Sequence, residues 1–175
     1  LSASLIPVYA EFLEKGEEEK AGRFAGAALG LLTVVAFGLA LAGILLAPVF
    51  IPVIYWEWDP WKQELTVRIV RILFPMTAVL VISAWALGIL NSHRRFFISY
   101  VAPVAWNLAL ITAMVTTGSY LGWSVSGRET DMVVAMAWGA LAGGVLQLMV
   151  QLPWVLPLLS HFRISLSRRV AGVRG

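Results

Sequence analysis

Four long stretches without a charged residue constrain this sequence more than any other feature. Asp, Glu, Lys and Arg are absent from residues 24–56, 72–92, 96–127 and 132–160. A helix needs roughly 20 apolar residues to cross the ~30 Å hydrocarbon core of a bilayer, and each stretch is long enough. Membrane-spanning strands would alternate polar and apolar residues, which residues 29–42 do not do. The sequence therefore predicts an all-α fold, a polytopic bundle of transmembrane helices.

The composition excludes several other classes of protein. Apolar residues make up 59% of the chain and charged residues 13%, with a mean hydropathy of +0.82. Soluble domains have about 45–50% apolar and about 25% charged residues. This difference argues against an ordinary cytosolic enzyme, a disordered tail and a nucleic-acid-binding module. The net charge of +3 does not indicate nucleic acid as a partner, because the basic residues form short clusters between apolar runs.

The predicted organisation is four full spans and two flanking segments. The spans are 24–47, 71–91, 101–120 and 132–152, within a bundle that covers 14–160. Pro48 and Pro52 are expected to end or bend the first helix. Residues 1–13 are interpreted as the end of a preceding membrane helix or as an amphipathic surface segment. Residues 161–175 are interpreted as a basic tail or a linker, so the sequence reads as a piece of a longer protein.

The orientation of the bundle follows from the basic residues in its loops. Four spans place residues 14–23, 92–96 and 161–175 on one side, which carries nine Lys and Arg residues, against four on the other. Because Lys and Arg are enriched in cytoplasmic loops, the first side is predicted to be cytoplasmic. Tyr and Trp residues cluster in the opposite loops, at the depth that aromatic residues prefer.

The sequence contains no recognisable catalytic chemistry. All ten Asp and Glu residues lie outside the four predicted spans, and both histidines lie in loops. There is no cysteine, no metal-binding motif, no phosphate-binding loop and no nucleophile–base set. An enzyme is therefore disfavoured, and no cofactor or metal is expected.

Polar side chains within or beside the spans are the candidate site residues. An amide in hydrocarbon must find a partner or face water, so each could make an interhelical hydrogen bond or line a polar cavity. Gln147 and Gln151 are four residues apart and share one helix face. Small residues at the same spacing, such as Gly139 and Gly143, indicate close helix packing.

Two pairs of arginines flank the second predicted span. Arg68 and Arg71 lie at its outer end and Arg94 and Arg95 just beyond its inner end. Each pair could simply extend to lipid headgroups, or it could reflect only the ordinary distribution of basic residues between the loops on the two sides. Guanidinium pairs also suit a phosphate or pyrophosphate ligand, so Arg68, Arg71 and Arg94 are headgroup-contact candidates.

Several sequence blocks, taken in order, resemble the MviN/MurJ family of lipid II flippases. The blocks are ASLIPVYAEF (3–12), TVRIVRILFP (66–75), GILNSHRRFF (88–97), APVAWNL (102–108), AWG (137–139) and GGVLQLMVQLP (143–153). The resemblance implies a two-lobe fold of the multidrug/oligosaccharidyl-lipid/polysaccharide exporter superfamily. This chain would supply the end of the second helix through the sixth, which is most of the N-terminal lobe.

The same resemblance implies a function and a site. The family moves a lipid-linked peptidoglycan precursor across the bacterial inner membrane by alternating access. Expected partners are that precursor, membrane lipids and the remaining helices of the protein. The substrate-cavity candidates that match recurrent family positions are Asn91, Arg95, Asn107, Gln147 and Gln151. A flippase for another polyprenyl-linked saccharide, a membrane scaffold of the cell-wall machinery and a lipid-modifying enzyme remain as alternatives.

Overall fold

The computed structural model describes residues 2–121 and 129–159, and these are almost entirely helical. The elements are α1 (Ser2–Glu14), α2 (Glu18–Ile54), α3 (Pro60–Ser92), α4 (Phe96–Leu121) and α5 (Glu129–Val155), followed by a 3-10 turn at Leu156–Leu158. No strand occurs in those residues, which confirms the all-α prediction. The predicted basic tail at 161–175 lies outside the described residues.

Four of these helices are long and apolar enough to cross a membrane, namely α2 to α5. Each predicted span lies within one of them, so the number and order of the spans are confirmed. The helices extend beyond the predicted spans: α2 begins at Glu18 and α3 at Pro60. The charge-free stretches mark where a helix can be in hydrocarbon, whereas the helices continue into the polar layers on either side.

Pro48 and Pro52 do not end α2, which continues to Ile54. A proline has no N–H, so Pro48 leaves the carbonyl of Ile44, four residues earlier, without its helical donor. The Nε of Arg71 on α3 donates to that carbonyl at 3.3 Å. A side chain of the neighbouring helix thus replaces the hydrogen bond that the proline removes.

The turns at one end of the bundle have a shared backbone pattern. After α1, the N–H groups of Gly16 and Glu17 donate to Leu13 and Phe12, and Gly16 has a φ of +70°. This is a Schellman motif, in which glycine is favoured because φ is positive. The turn after α3 has the same hydrogen bonds, but its positive-φ position is occupied by Arg94, with a φ of 57°.

Helix α3 is the centre of the bundle and contacts each of the other four helices. In the most apolar 18-residue segment of α3, 39% of the residues are buried, against 6% in the corresponding segment of α4. Helix α2 runs antiparallel to α3, since Gly43 lies against Phe74 and the indole of Trp85 donates to Ala25. Helix α5 runs parallel to α3, since Ile72 clusters with Val134 and, further along both helices, Ser83 bonds to Gln151. Helix α4 packs mainly on α5.

The largest core cluster lies where the chain turns at residues 15–17 and 93–95, which we call the 93–95 end. All five helices contribute to it. Its buried members are Tyr9, Ala21, Ala25, Trp85, Ala86, Ile89, Leu90, Ile98 and Val155. The cluster places the turn after α1, the turn after α3 and the end of α5 on the same side of the bundle. The opposite end, which we call the 55–59 end, contains the starts of α3 and α5.

Helices α4 and α5 approach each other through glycine. A Cβ built on Gly139 would overlap Ala113, and one on Gly143 would lie 3.0 Å from the backbone oxygen of Trp106. The indole of Trp106 also donates to the carbonyl of Ala140 at 3.0 Å. Close backbone approach of this kind brings membrane helices together by van der Waals contact, as the four-residue glycine spacing predicts.

We expect Gly143→Ala to destabilise the bundle by about 1–3 kcal/mol, because the new methyl group meets backbone that cannot move aside. Gly38→Ala is the matched control, since nothing lies within 4 Å of its Cβ position. Thermal unfolding in detergent micelles measures both variants. Equal stability of the two variants would contradict the close α4–α5 packing.

Candidate functional site

The candidate residues lie at separate places in the bundle. Gln147 and Gln151 meet inside it, Arg68 and Arg71 line a groove near the 55–59 end, and the others lie at the 93–95 end or on α4. Among the described residues there is no group of His, Cys, Asp or Glu that could hold a metal ion.

Gln147, Gln151 and Ser83 form a buried polar triad between α3 and α5. The Nε2 of Gln147 donates to the Ser83 hydroxyl at 2.8 Å, and that hydroxyl donates to Oε1 of Gln151 at 2.9 Å. Gln151 and Ser83 are fully buried and Gln147 is 6% exposed. The sequence left two roles open for these amides, an interhelical hydrogen bond and the lining of a polar cavity. The observed geometry corresponds to the interhelical hydrogen bond.

Two features of the triad could not be predicted from the sequence. Ser83 lies within an apolar run, and the sequence gives no sign that it joins two amides that lie 64 and 68 residues later in the chain. The Nε2 of Gln151 is buried and has no hydrogen-bond partner in the described part of the chain. An unpaired amide in such a place is costly, so the triad is less than fully satisfied by these helices.

A groove of about 510 Å³ lies between α3 and α5 near the 55–59 end. Helix α3 contributes charged and apolar side chains, and α5 contributes an aromatic one. The lining includes Glu64, Arg68, Arg71, Pro75, Trp138 and Leu141. The arginine pair is thus placed together, as its spacing predicts. Glu64 and Trp138 were not among the predicted site residues. Glu64 lies four residues before Arg68 on the same helix, whereas only the packing of α5 against α3 brings Trp138 to the arginines.

The 93–95 end contains a hydrogen bond between a buried tyrosine and a histidine. The Tyr9 hydroxyl and Nε2 of His93 are 3.1 Å apart, and Tyr9 is 1% exposed. Burial lowers the pKa of His93, and the charge of Arg95 lowers it further, against a smaller opposing effect of Glu18. Folding therefore favours the neutral imidazole at this end of the bundle.

The other candidates at this end are more accessible. Asn91 is half-buried in the last turn of α3, while Arg94 and Arg95 are exposed. The backbone N–H of Arg95 closes the turn by donating to Leu90. Arg94 has the positive φ that glycine adopts more readily, at a cost of about 1 kcal/mol. Both guanidinium groups are placed where they can reach anionic groups at the membrane surface.

Asn107 lies apart from the other candidates. It is exposed on α4, and its Nδ2 donates to the carbonyl of Pro103 on the same helix at 3.2 Å. Val104, Leu108 and Ile111 share this face and are also exposed. The described helices leave this polar side chain available to another part of the protein, to lipid or to a ligand.

Comparison with known proteins gives one consistent result. The family model described as lipid II flippase MurJ matches residues 1–175. A probable lipid II flippase MurJ from Rhizobium meliloti is 30% identical over 95% of this chain, and the lipid II flippase MurJ from Burkholderia cenocepacia is 33% identical over 87%. One from Treponema pallidum is 27% identical over 95%. The chain spans 28–30% of the length of these relatives.

We expect Ser83→Ala to lower the stability of the bundle by about 1 kcal/mol, because it leaves both glutamines without their shared partner. Ser99→Ala is the control, since that hydroxyl reaches only the carbonyl of Arg95, directly before its own helix, at 3.5 Å. Thermal unfolding in micelles compares the two. An S83A variant as stable as S99A would show that the triad contributes nothing to helix association.

We also expect stability to fall as the pH is lowered from 7.5 to 5. The folded pKa of His93 lies below its ordinary value of 6.5, so the unfolded chain takes up its proton first. The contribution of neutral His93 is present above pH 6.5 and is lost as the pH falls through the folded pKa. His93→Gln should flatten this dependence. Tyr9→Phe should keep it, because burial and the charge of Arg95 lower the His93 pKa without the Tyr9 hydroxyl, and a flat profile in Y9F would show that the Tyr9 hydrogen bond sets the dependence instead.

Proposed function

This chain belongs to the lipid II flippase MurJ family, and from that premise we propose that it supplies part of a transporter that moves lipid-linked peptidoglycan precursor across the membrane. The match of the family model over residues 1–175 carries the proposal. The four membrane-crossing helices make the chain an integral membrane protein, as this function requires. The named relatives are flippases, so no catalytic step is assigned to these residues.

The physical task is to move a large polar headgroup through hydrocarbon. The substrate has a long apolar tail, a pyrophosphate and a sugar–peptide head, and only the head must leave water. We propose that it passes through a polar cavity between two lobes that open alternately to each side, while the tail stays in lipid. This chain would form one wall of that cavity, and transport would need both lobes.

We further propose the orientation predicted from the loop charges, in the bacterial inner membrane. Residues 14–23, 92–96 and 161–175 would then be cytoplasmic. The location of residues 15–17 and 93–95 at one end of the bundle supports this arrangement, because both loops must lie on the same side. The 55–59 end would face outwards, with its cluster of tyrosine and tryptophan residues at the interface.

The proposed roles of the amides differ according to their surroundings. Gln147 and Gln151 are buried against Ser83, which supports a role in holding α3 to α5. Asn107 is exposed on an otherwise apolar face, which supports a role in contact with substrate or with a neighbouring helix. Asn91 and Arg95 would meet the headgroup at the cytoplasmic entrance.

The function is tested with the complete gene in bacteria depleted of their own lipid II flippase. Survival and the distribution of lipid II between leaflets are followed, with the Burkholderia cenocepacia relative expressed in parallel as the positive control. Rescue with lipid II in the outer leaflet is the expected result. If the protein is inserted but only the control rescues, the flippase assignment for lipid II fails, and another polyprenyl-linked saccharide becomes the substrate to test.

Asn107→Leu should reduce lipid II translocation by about tenfold, which corresponds to the loss of one net hydrogen bond to the substrate. Thr116→Val is the matched control on α4, because that exposed hydroxyl bonds only to the carbonyls of Thr112 and Ala113 on its own helix. Initial rates in proteoliposomes measure the effect. Equal rates for N107L and T116V would remove Asn107 from the proposed cavity.

A further inference from the structure

We propose that the groove between α3 and α5 at the 55–59 end binds one anionic glycerophospholipid. Its phosphodiester would lie between Arg68 and Arg71, and an acyl chain would follow the apolar floor formed by Pro75 and Leu141. This site is separate from the proposed cavity and does not depend on lipid II transport. Four observations support it, namely the depth of the groove, its free cations, its net charge and its apolar floor.

The arginines lie at the depth of lipid phosphates. Residues 72–92 of α3 carry no charge. These 21 residues span about 31 Å at the 1.5 Å rise of a helix, which matches the ~30 Å hydrocarbon core. Arg71 therefore lies at the edge of the core, and Arg68 lies about 5 Å further out. Headgroups occupy the next 5–8 Å on each side of the core, so both guanidinium groups fall within that layer.

Neither of these cations forms an ion pair in the described part of the chain. The ion pairs in the described part of the chain involve Lys15, Lys20, Arg23 and Lys62, and neither groove arginine joins them. The Nε of Arg71 is held by the carbonyl of Ile44. That hydrogen bond ties the side chain to α2 through Nε alone, so the remaining guanidinium donors can serve a ligand in the groove. Arg68 makes no hydrogen bond to another described residue.

The charge of the groove selects the class of lipid. Arg68 and Arg71 contribute +2 and Glu64 contributes −1, so the groove carries a net +1. A phosphodiester with one negative charge, as in phosphatidylglycerol, is neutralised by this set. A pyrophosphate would leave an excess of negative charge beside Glu64, which argues against the headgroup of a polyprenyl pyrophosphate. The Glu64 carboxylate can also accept hydrogen bonds from glycerol hydroxyl groups.

The groove continues into an apolar floor suited to a lipid chain. Ile72, Pro75 and Leu141 lie on the hydrocarbon side of the arginines. Trp138, which is 56% exposed, borders the groove from α5. Tryptophan prefers the boundary between headgroups and hydrocarbon, where its ring contacts chains and its N–H stays near polar groups. A cationic mouth above an apolar floor matches the two parts of a phospholipid.

The test measures lipid binding to the purified protein, expressed from its complete gene, by native mass spectrometry. Phosphatidylglycerol is titrated against phosphatidylethanolamine, with wild type, Arg68→Gln and Lys62→Gln compared. Lys62 is a matched control because it lies on the same helix but pairs with Asp59 at 3.1 Å and does not line the groove. We expect phosphatidylglycerol to bind R68Q about tenfold more weakly than wild type, because a charge-assisted hydrogen bond is lost. Its affinity for K62Q should equal that for wild type.

A second measurement locates the lipid without altering a charge. Phosphatidylglycerol with brominated chains should quench the tryptophan fluorescence of wild type more than that of Trp138→Phe. Equal quenching of the two proteins would overturn the proposed location. Equal weakening in R68Q and K62Q, or equal binding of both lipids, would overturn the phosphodiester site. None of these readouts requires flippase activity, so the site and the proposed function can fail independently.

Discussion

The bundle depends on the close contact of α3 with its neighbours, because a bilayer offers apolar helices no hydrophobic reason to associate. Association must come from van der Waals contact and from polar groups that have no better partner. Helix α3 provides both: Ala78 packs between Ala36 and Ala40 of α2, and Ser83 joins the two glutamines of α5. The bundle therefore has small residues where α2 and α3 approach closely and hydrogen bonds where α3 meets α5.

The same environment requires each backbone carbonyl to have a donor. Pro48 removes the N–H donor of the Ile44 carbonyl within α2, and water cannot replace that donor in hydrocarbon. Arg71 supplies the donor from α3 and lies near enough to the headgroup layer to keep its charge solvated. One side chain thus compensates for a proline and also forms part of the groove. The Arg71 side chain therefore both allows α2 to contain an internal proline and contributes to the positive charge of the groove.

The sequence was sufficient for the number, type and order of the helices, because charged residues are excluded from hydrocarbon so strongly. The glycine spacing also predicted close helix packing of α5, but not that α4 is the partner. The sequence could not show that α3 and α5 lie side by side, since they are separated by a whole helix. Consequently Ser83 and Trp138 were missed, although each completes a site that contains predicted residues. These residues could be recognised only from knowing which positions of α3 lie opposite which positions of α5, and a single sequence does not contain that information.

The 93–95 end of the bundle combines its largest core cluster with two locally unfavourable features, which bears on the proposed alternating access. At the 93–95 end all five helices meet in one core, yet the same end contains a desolvated histidine and a turn in which Arg94 has a positive φ. The positive φ of Arg94 reduces the stability of this end, and the desolvation of His93 makes that stability fall as the pH is lowered. Replacing Arg94 by glycine would relieve the turn but remove a cation from the membrane surface. The presence of arginine instead of glycine at this position indicates that the positive charge at this end outweighs the stability lost in the turn.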